Sequence, residues 1–237
     1  MLPVRRTLAT AAPLLGYAAF CAGMIAGFNG TGDSGDSVMH FLFARYAPQH
    51  PELFFHHWAK PLFVLLASPF AQFGFTGIKV FNALVSGGSL LAAYRLAQGI
   101  GLKHALLAPL FTLAAPLFLT LTFSGFTEPL FACLLAWALV LLVRERTWAA
   151  AVLLSFLPFV RSEGLIMLGV VGLFLLLKKQ YRTLPWLGLG TVLYGLAGWP
   201  VHGTPLWPIT AIPYAHAGSP YGSGGAFHFL EHLVNVV

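Results

Sequence analysis

Long apolar stretches fill most of this 237-residue sequence, and charged residues interrupt them only in short clusters. Hydrophobic residues make up 58% of the chain and charged residues 8%, whereas soluble domains are usually about 25% charged. Segments of this composition bury every face rather than one stripe. The composition therefore excludes soluble globular, disordered, coiled-coil and nucleic-acid-binding classes and indicates a multispanning membrane protein. Cys21 and Cys133 lie in apolar runs, so neither a disulfide framework nor a thiolate metal site is indicated.

The basic clusters predict the topology, because cytoplasmic loops of membrane proteins carry an excess of lysine and arginine. Placing Arg5 and Arg6 inside, together with three later basic clusters, requires seven spans. The predicted spans cover residues 7–28, 78–98, 103–123, 126–143, 147–160, 164–178 and 184–199. The acidic residues then lie outside, with Glu145 as the exception. The expected fold is all-α, a polytopic membrane helix bundle with about seven transmembrane helices.

The whole chain, 1–237, is expected to be a single transmembrane module with two long outer loops. The first loop covers 29–77, and the second, 200–237, also contains the start of a further span. Within the first loop, the apolar segment Lys60–Gly74 is about 14 residues long, and counting it as a span would invert the later basic loops. We therefore predict a helix that lies at the outer membrane interface.

The first outer loop contains a candidate catalytic carboxylate. Asp36 begins a predicted helical stretch and shares a face with His40, four residues later. A separate apolar face is formed by Met39, Leu42, Phe43 and Tyr46. A carboxylate at the boundary between water and lipid can act as a general base. The alternative interpretation is that Asp36 only caps its helix and Asp33 only makes a turn.

Arg161 and Glu163 follow a short predicted span. The span over 147–160 rises roughly 21 Å at 1.5 Å per residue, which is less than the 30 Å or so of the hydrocarbon core. Both side chains should therefore lie below the outer membrane surface, where charged groups normally face a watery cavity. Glu128 enters a span from the same side, and arginine suits bidentate phosphate recognition. The alternative is that Arg161 and Glu163 only neutralise each other.

The C-terminal tract is rich in histidine and aromatic residues, most of which fit an interfacial aromatic belt. The segment His228–His232 formally matches the H-x-x-E-H pattern of one zinc-protease class. That class needs a third ligand beyond the motif, and only five residues remain. No metal site is predicted.

Four segments together resemble the integral-membrane glycosyltransferases of the GT-C superfamily, especially bacterial, Bacteroidetes-type members. They are Gly35-Asp36-Ser37, His57-Trp58-Ala59-Lys60-Pro61-Leu62-Phe63, Ser124-Gly125-Phe126-Thr127-Glu128-Pro129-Leu130-Phe131 and Phe159-Val160-Arg161-Ser162-Glu163-Gly164. The resemblance covers nearly the whole chain. Since members of this family usually run well past 237 residues, the chain is expected to correspond to an N-terminal portion.

The resemblance implies transfer of a sugar from a polyprenyl-phosphate-linked donor to a lipid, glycan or protein acceptor. The reaction would take place on the outer, periplasmic face of the bacterial inner membrane, among membrane lipids and without nucleic acid. Asp36 would act near the acceptor as the catalytic residue, with Asp33 as the second candidate. Residues expected to bind substrate are His40, His57, Lys60, Glu128, Arg161, Glu163, Tyr221 and His228. The sequence identifies no cofactor with certainty, and a divalent cation is left open.

A transporter or lipid flippase is the competing hypothesis. Its membrane-embedded Glu128, Arg161 and Glu163 would then bind substrate or protons. Transporters favour sites near the bilayer midplane and paired repeats. In this sequence the polar groups gather at one face and no repeat is visible, which favours the enzyme.

Overall fold

A computed structural model describes residues 3–211, and these residues form helices and no strand. The α-helices are α1 (Pro3–Gly27), α2 (Asp36–Tyr46), α3 (Pro61–Ala71), α4 (Gly74–Gly99), α5 (Leu107–Ala114), α6 (Pro116–Thr122), α7 (Glu128–Val143), α8 (Thr147–Leu154), α9 (Gly164–Leu177), α10 (Leu189–His202) and α11 (Trp207–Thr210). Short 3-10 helices cover Pro51–Phe55, Leu157–Phe159 and Tyr181–Gly188. The all-α prediction is thus confirmed for the described part of the chain.

Of the helical segments within residues 15–211, α4 is the one that is both long and apolar enough to cross a membrane. It has 26 residues, and its most apolar window has a mean hydropathy of 1.3. The other apolar helical segments in this range have 10–17 residues. They are Leu15–Gly27, Pro61–Ala71, Glu128–Val143, Thr147–Phe159 and Gly164–Leu177.

Three predicted continuous spans are not single α-helices in the structure. The predicted span 184–199 begins in the 3-10 helix Tyr181–Gly188 and continues as α10. The predicted span 103–123 becomes α5 and α6, because Ala115 precedes Pro116 and adopts an extended conformation with ψ 121°. A residue before proline is pushed away from the helical region, so the break follows from the sequence. The predicted span 147–160 likewise becomes α8 followed by the 3-10 helix Leu157–Phe159, whose second residue is also a proline.

The helix predicted to lie at the interface is α3, and one of its sides is a main part of the hydrophobic core. Phe63, Ala67 and Ala71 are fully buried against α2, α4 and α7, whereas Leu65 and Leu66 on the other side are exposed. In α2 the buried residues are Ser37, His40 and Ala44. The apolar face predicted for α2 therefore points partly outward, with Met39 and Tyr46 exposed.

The direction of the helices separates the bundle into two ends. The start of α7 lies beside the end of the α8 segment, because Glu128 pairs with Arg161. The far end of α7 lies beside the far end of α4, where a Cβ added at Gly99 would be 2.9 Å from Val143. Since α9 starts beside Arg161 and runs away from it, its last residues lie toward the same far end as Val143. The predicted outer motifs and the predicted inner basic clusters therefore lie at opposite ends.

Candidate functional site

Arg161 holds two of the predicted acidic residues at once. Its Nη1 forms an ion pair with Glu128, and its Nη2 donates to Oε1 of Glu163 at 2.7 Å. The side chains of Arg161 and Glu128 are 29% and 34% exposed, and that of Glu163 is 52% exposed. Burial by itself lowers the pKa of Arg161, but Glu163 and Glu128 outweigh it and raise that pKa. In turn, Arg161 holds the pKa of Glu163 below its usual range.

A tight turn after the 3-10 helix Leu157–Phe159 positions Arg161. The Arg161 N–H donates to the Leu157 carbonyl at 3.0 Å, and the Gly164 N–H donates back to the Arg161 carbonyl at 3.0 Å. A Cβ at Gly164 would overlap the backbone of Leu157, so only glycine lets α9 begin this close to the preceding turn. The turn therefore fixes the backbone from which the Arg161 side chain extends.

Lys60 adds a second, more deeply buried cation. Its Nζ donates to Oγ of Ser162 at 2.9 Å, and the residue is 9% exposed. Burial lowers the pKa of Lys60 to about 8, with Glu163 opposing the shift and Arg161 adding to it. Its backbone is in the left-handed region with φ 66°, directly before Pro61. We refer to Lys60, Glu128, Arg161, Ser162 and Glu163 as the ion-pair cluster.

His40 lies near the ion-pair cluster as a neutral ring. It is 6% exposed, stacks on Trp58 with ring centroids 5.0 Å apart, and packs against Phe63. Burial and then the charge of Lys60 lower the pKa of His40 to about 4. Its Nδ1 is buried without a hydrogen-bond partner among the described residues. At neutral pH this ring adds hydrogen-bonding capacity but no charge.

Ser37 joins the first outer loop to the loop that carries Glu128. Its Oγ donates to the Thr31 carbonyl and accepts from the Gly125 N–H at 2.6 Å. Asn82 of α4 fixes the same loop, because its Nδ2 donates to the Ser124 carbonyl at 2.8 Å and to the Phe126 carbonyl at 3.0 Å. All four segments of the predicted site are therefore brought together in the structure.

The two candidate carboxylates of the first loop have different environments. Oδ1 of Asp33 accepts from the Ser37 N–H at 2.9 Å and so satisfies an otherwise free donor in the first turn of α2. Asp36 is exposed and makes no hydrogen bond or ion pair through its side chain within the described structure. The capping role considered for Asp36 therefore belongs to Asp33, and Asp36 is the carboxylate that is free to contact a ligand.

His57 lies beside a small cavity rather than in the ion-pair cluster. Its Nε2–H donates to the Pro208 carbonyl at 3.3 Å, and burial and then Lys60 lower its pKa. The cavity has a volume of about 130 Å³, and its walls include Phe159, Ser162 and Thr191. Ser162 therefore lines this cavity and also accepts the hydrogen bond from Lys60.

Two predicted binding residues, Tyr221 and His228, lie outside the described residues. Within 3–211 no group of three or more His, Cys, Asp or Glu side chains is arranged to hold a metal ion. Asn82 and Ser37, which fix the loops of the site, had no predicted functional role. Asn82 could have been found from the sequence, because a polar amide within a predicted membrane span is costly unless it has a hydrogen-bond partner.

The charges of the ion-pair cluster balance when Lys60 is protonated. Arg161 and Lys60 contribute two cations, and Glu128 and Glu163 contribute two anions. An incoming anion must therefore compete with a carboxylate for the guanidinium. Oε2 of Glu128 is buried and without a partner in the described part of the chain, so this carboxylate is only half satisfied in the resting arrangement.

Comparison of the chain with protein-family models, with curated proteins and with solved structures finds no match.

Proposed function

We propose that the chain is a polytopic membrane glycosyltransferase of GT-C type with about seven spans. In this proposal it moves a sugar from a polyprenyl-phosphate-linked donor to a lipid, glycan or protein acceptor at the outer face of the bacterial inner membrane. The observation that carries the proposal is the ion-pair cluster, in which residues from distant segments meet beside the first outer loop. The known chemistry of glycosyl transfer needs both a base and an anion-stabilising group at one place.

Arg161 and Lys60 are the candidates for the departing lipid phosphate. A guanidinium suits the two oxygens of a phosphate, and partly buried cations interact with it more strongly than exposed ones. Glu128 occupies one guanidinium nitrogen in the resting cluster. Donor binding would replace Glu128 with a phosphate oxygen and would release a carboxylate toward the sugar hydroxyls.

Asp36 is the candidate base for the acceptor hydroxyl. Its side chain is exposed and unpartnered within residues 3–211, and its helix is held to the Glu128 loop through Ser37. Deprotonation of the hydroxyl would accompany its attack on the anomeric carbon, while the phosphate leaves with the bonding electron pair. A glycosidic bond to the acceptor forms and the bond to the lipid phosphate breaks.

The topology is tested with single cysteines in a background that lacks Cys21 and Cys133. We expect Ser34→Cys to be labelled by an impermeant maleimide from the periplasm and Arg144→Cys to be labelled only after permeabilisation. Both positions are exposed in the structure, so failure to label does not come from burial. Labelling of both from the same side would contradict the seven-span arrangement.

The activity is tested with the full-length gene product and a panel of polyprenyl-phosphate hexoses and pentoses. Asp36→Asn should lower transfer by about 100-fold or more, as expected for loss of a general base. Asp33→Asn is the matched control and should stay close to wild type, because asparagine caps about as well as aspartate. Near-normal transfer by Asp36→Asn would exclude it as the base.

The same material separates the enzyme from the transporter. Movement of intact lipid-linked sugar across proteoliposomes, with no cleavage of the glycosidic bond, would support the transporter and contradict the enzyme. Release of free polyprenyl phosphate that depends on Arg161 would support the enzyme.

A further inference from the structure

The end of the bundle opposite the ion-pair cluster is strongly basic. We call it the basic end. Its charged residues are Arg95, Lys103, Arg144, Glu145, Arg146, Lys178, Lys179 and Arg182. All but Glu145 are cationic, whereas the charges in the ion-pair cluster cancel. The basic end therefore carries a field that attracts anions, and the proposed reaction does not use it.

An open cavity of about 660 Å³ lies at the basic end, where α4 turns into α5. Its polar lining comes from Tyr94, Gln98, Lys103 and His104. Nε2 of Gln98 donates to the Tyr94 hydroxyl at 2.8 Å, and Oε1 of Gln98 accepts from Arg95 at 3.5 Å. The cavity thus combines a lysine, a ring N–H and a hydroxyl. Arg95 does not line the cavity but contacts Gln98, which does.

The shape of this cavity is set by the backbone. Gly101 has φ 78°, and the Leu102 N–H donates to the Ala97 carbonyl at 2.9 Å. This is the glycine-dependent helix ending in which the chain reverses over its own last turn. After this turn, Lys103 and His104 line the same cavity as Tyr94 and Gln98.

An exposed apolar surface continues from the same cavity. Leu102 and Leu106 in its wall are 53% and 59% exposed, and Leu107, Leu110 and Phe111 follow along one side of α5. In a helix, residues three and four apart share a face, so Leu107, Leu110 and Phe111 form one strip, which begins next to Leu106 in the cavity wall. A ligand that fits both parts has an anionic head and a long apolar tail.

We propose that this cavity binds the phosphate head group of an anionic phospholipid, with an acyl chain along the exposed strip of α5. Lys103, His104 and the Tyr94 hydroxyl would contact the phosphate oxygens, and Arg95 would add long-range attraction. Basic pockets next to membrane-embedded helices commonly hold such head groups. The inference rests on the membrane placement proposed above and is independent of the glycosyl transfer.

The test measures how added lipid shifts the thermal unfolding midpoint of the full chain in neutral detergent. Dioleoylphosphatidylglycerol should raise the midpoint in a saturable manner, and dioleoylphosphatidylcholine should not. Lys103→Gln should weaken the apparent affinity for phosphatidylglycerol about fivefold, since a lysine near an anionic lipid surface contributes on the order of 1 kcal/mol. Lys178→Gln, an exposed lysine of the same end outside the cavity, is the control and should change the affinity less than about twofold.

Three results would overturn the proposal. They are an equal midpoint shift with phosphatidylcholine, an equal loss of affinity in Lys178→Gln, and an equal shift with soluble glycerol 3-phosphate. The last would assign the cavity to a soluble phosphate compound. Because none of these measurements uses a sugar donor, their failure is distinguishable from failure of the transferase proposal, and the cysteine labelling tests the shared membrane placement separately.

Discussion

Arg161 is expected to interact more strongly with Glu128 than with Glu163, although it bonds to both. The perturbation is a double-mutant cycle built from Arg161→Gln, Glu128→Gln and the two together, with a parallel cycle on Glu163→Gln. Glutamine keeps the side-chain size and some hydrogen-bonding ability while removing the charge. The cycle therefore isolates the charge–charge part of each pair.

The expected magnitudes follow from exposure. Breaking a fully buried ion pair costs about 3–5 kcal/mol, and exposed pairs contribute about 0.2–1 kcal/mol. Arg161 and Glu128 are 29% and 34% exposed, so their coupling energy should lie between these limits, at about 1–2 kcal/mol. Glu163 is 52% exposed, so its coupling to Arg161 should stay below about 1 kcal/mol.

The assay is reversible unfolding of the purified protein in mixed micelles, followed by tryptophan fluorescence. The single variants should each be less stable than wild type, and the double variant Arg161→Gln/Glu128→Gln should be more stable than the sum of the two losses predicts. Additivity within about 0.5 kcal/mol would show that the pair is not coupled. A larger coupling for Glu163 than for Glu128 would refute the argument from exposure.

Three further predictions concern the frame of the site. Burial lowers the pKa of Lys60 to about 8, so the lysine loses its proton as the pH rises from 7 to 9. The KM for the donor should therefore rise over this interval in wild type and stay constant in Lys60→Arg. A constant KM in wild type would contradict a phosphate-binding role for Lys60. Gly125→Ala should lower the free energy of unfolding by about 2 kcal/mol, because the added Cβ would overlap the backbone of α2. The control Gly169→Ala has open space around the added Cβ and should be neutral or stabilising. Equal effects of the two substitutions on the unfolding midpoint would refute the close approach at Gly125. Asn82→Leu should lower the free energy of unfolding by about 1–3 kcal/mol, because it leaves the Ser124 and Phe126 carbonyls without a donor. An unchanged unfolding midpoint would show that other donors replace the Asn82 amide.

The helices could be predicted because long apolar stretches determine them almost alone. The starts and ends of α4, α7 and α9 lie within a few residues of the predicted spans 78–98, 126–143 and 164–178. The break at Pro116 was not predicted, although the proline was visible, because apolar length alone does not show where a helix is interrupted. The sequence also singled out the segments that meet in the ion-pair cluster, because charged residues in so apolar a chain are few, and their functional role stays a prediction.

The pairing inside the site could not be predicted from the sequence. Glu163 is two residues from Arg161 and was the obvious partner, but the contact with Glu128 depends on how α7 packs beside α8. The separation of Asp36 from His40 was also missed. They are four residues apart on one helix, but the buried side of α2 follows Ser37, His40 and Ala44, and Asp36 lies beside that line and is exposed. Periodicity places residues on a face of a helix but does not show where the buried part of that face ends.

The left-handed backbone of Lys60 has a consequence for how this position can change. A side chain at φ 66° costs on the order of 1–3 kcal/mol, and glycine would adopt this backbone without that cost. Lys60 also keeps a partly desolvated ammonium group in place. Stability alone is therefore expected to favour glycine here, and the proposed phosphate-binding role is expected to retain the lysine. Random mutagenesis of Lys60 should therefore give different residues in two screens. A screen for thermostability should recover glycine, and a screen for activity should recover lysine.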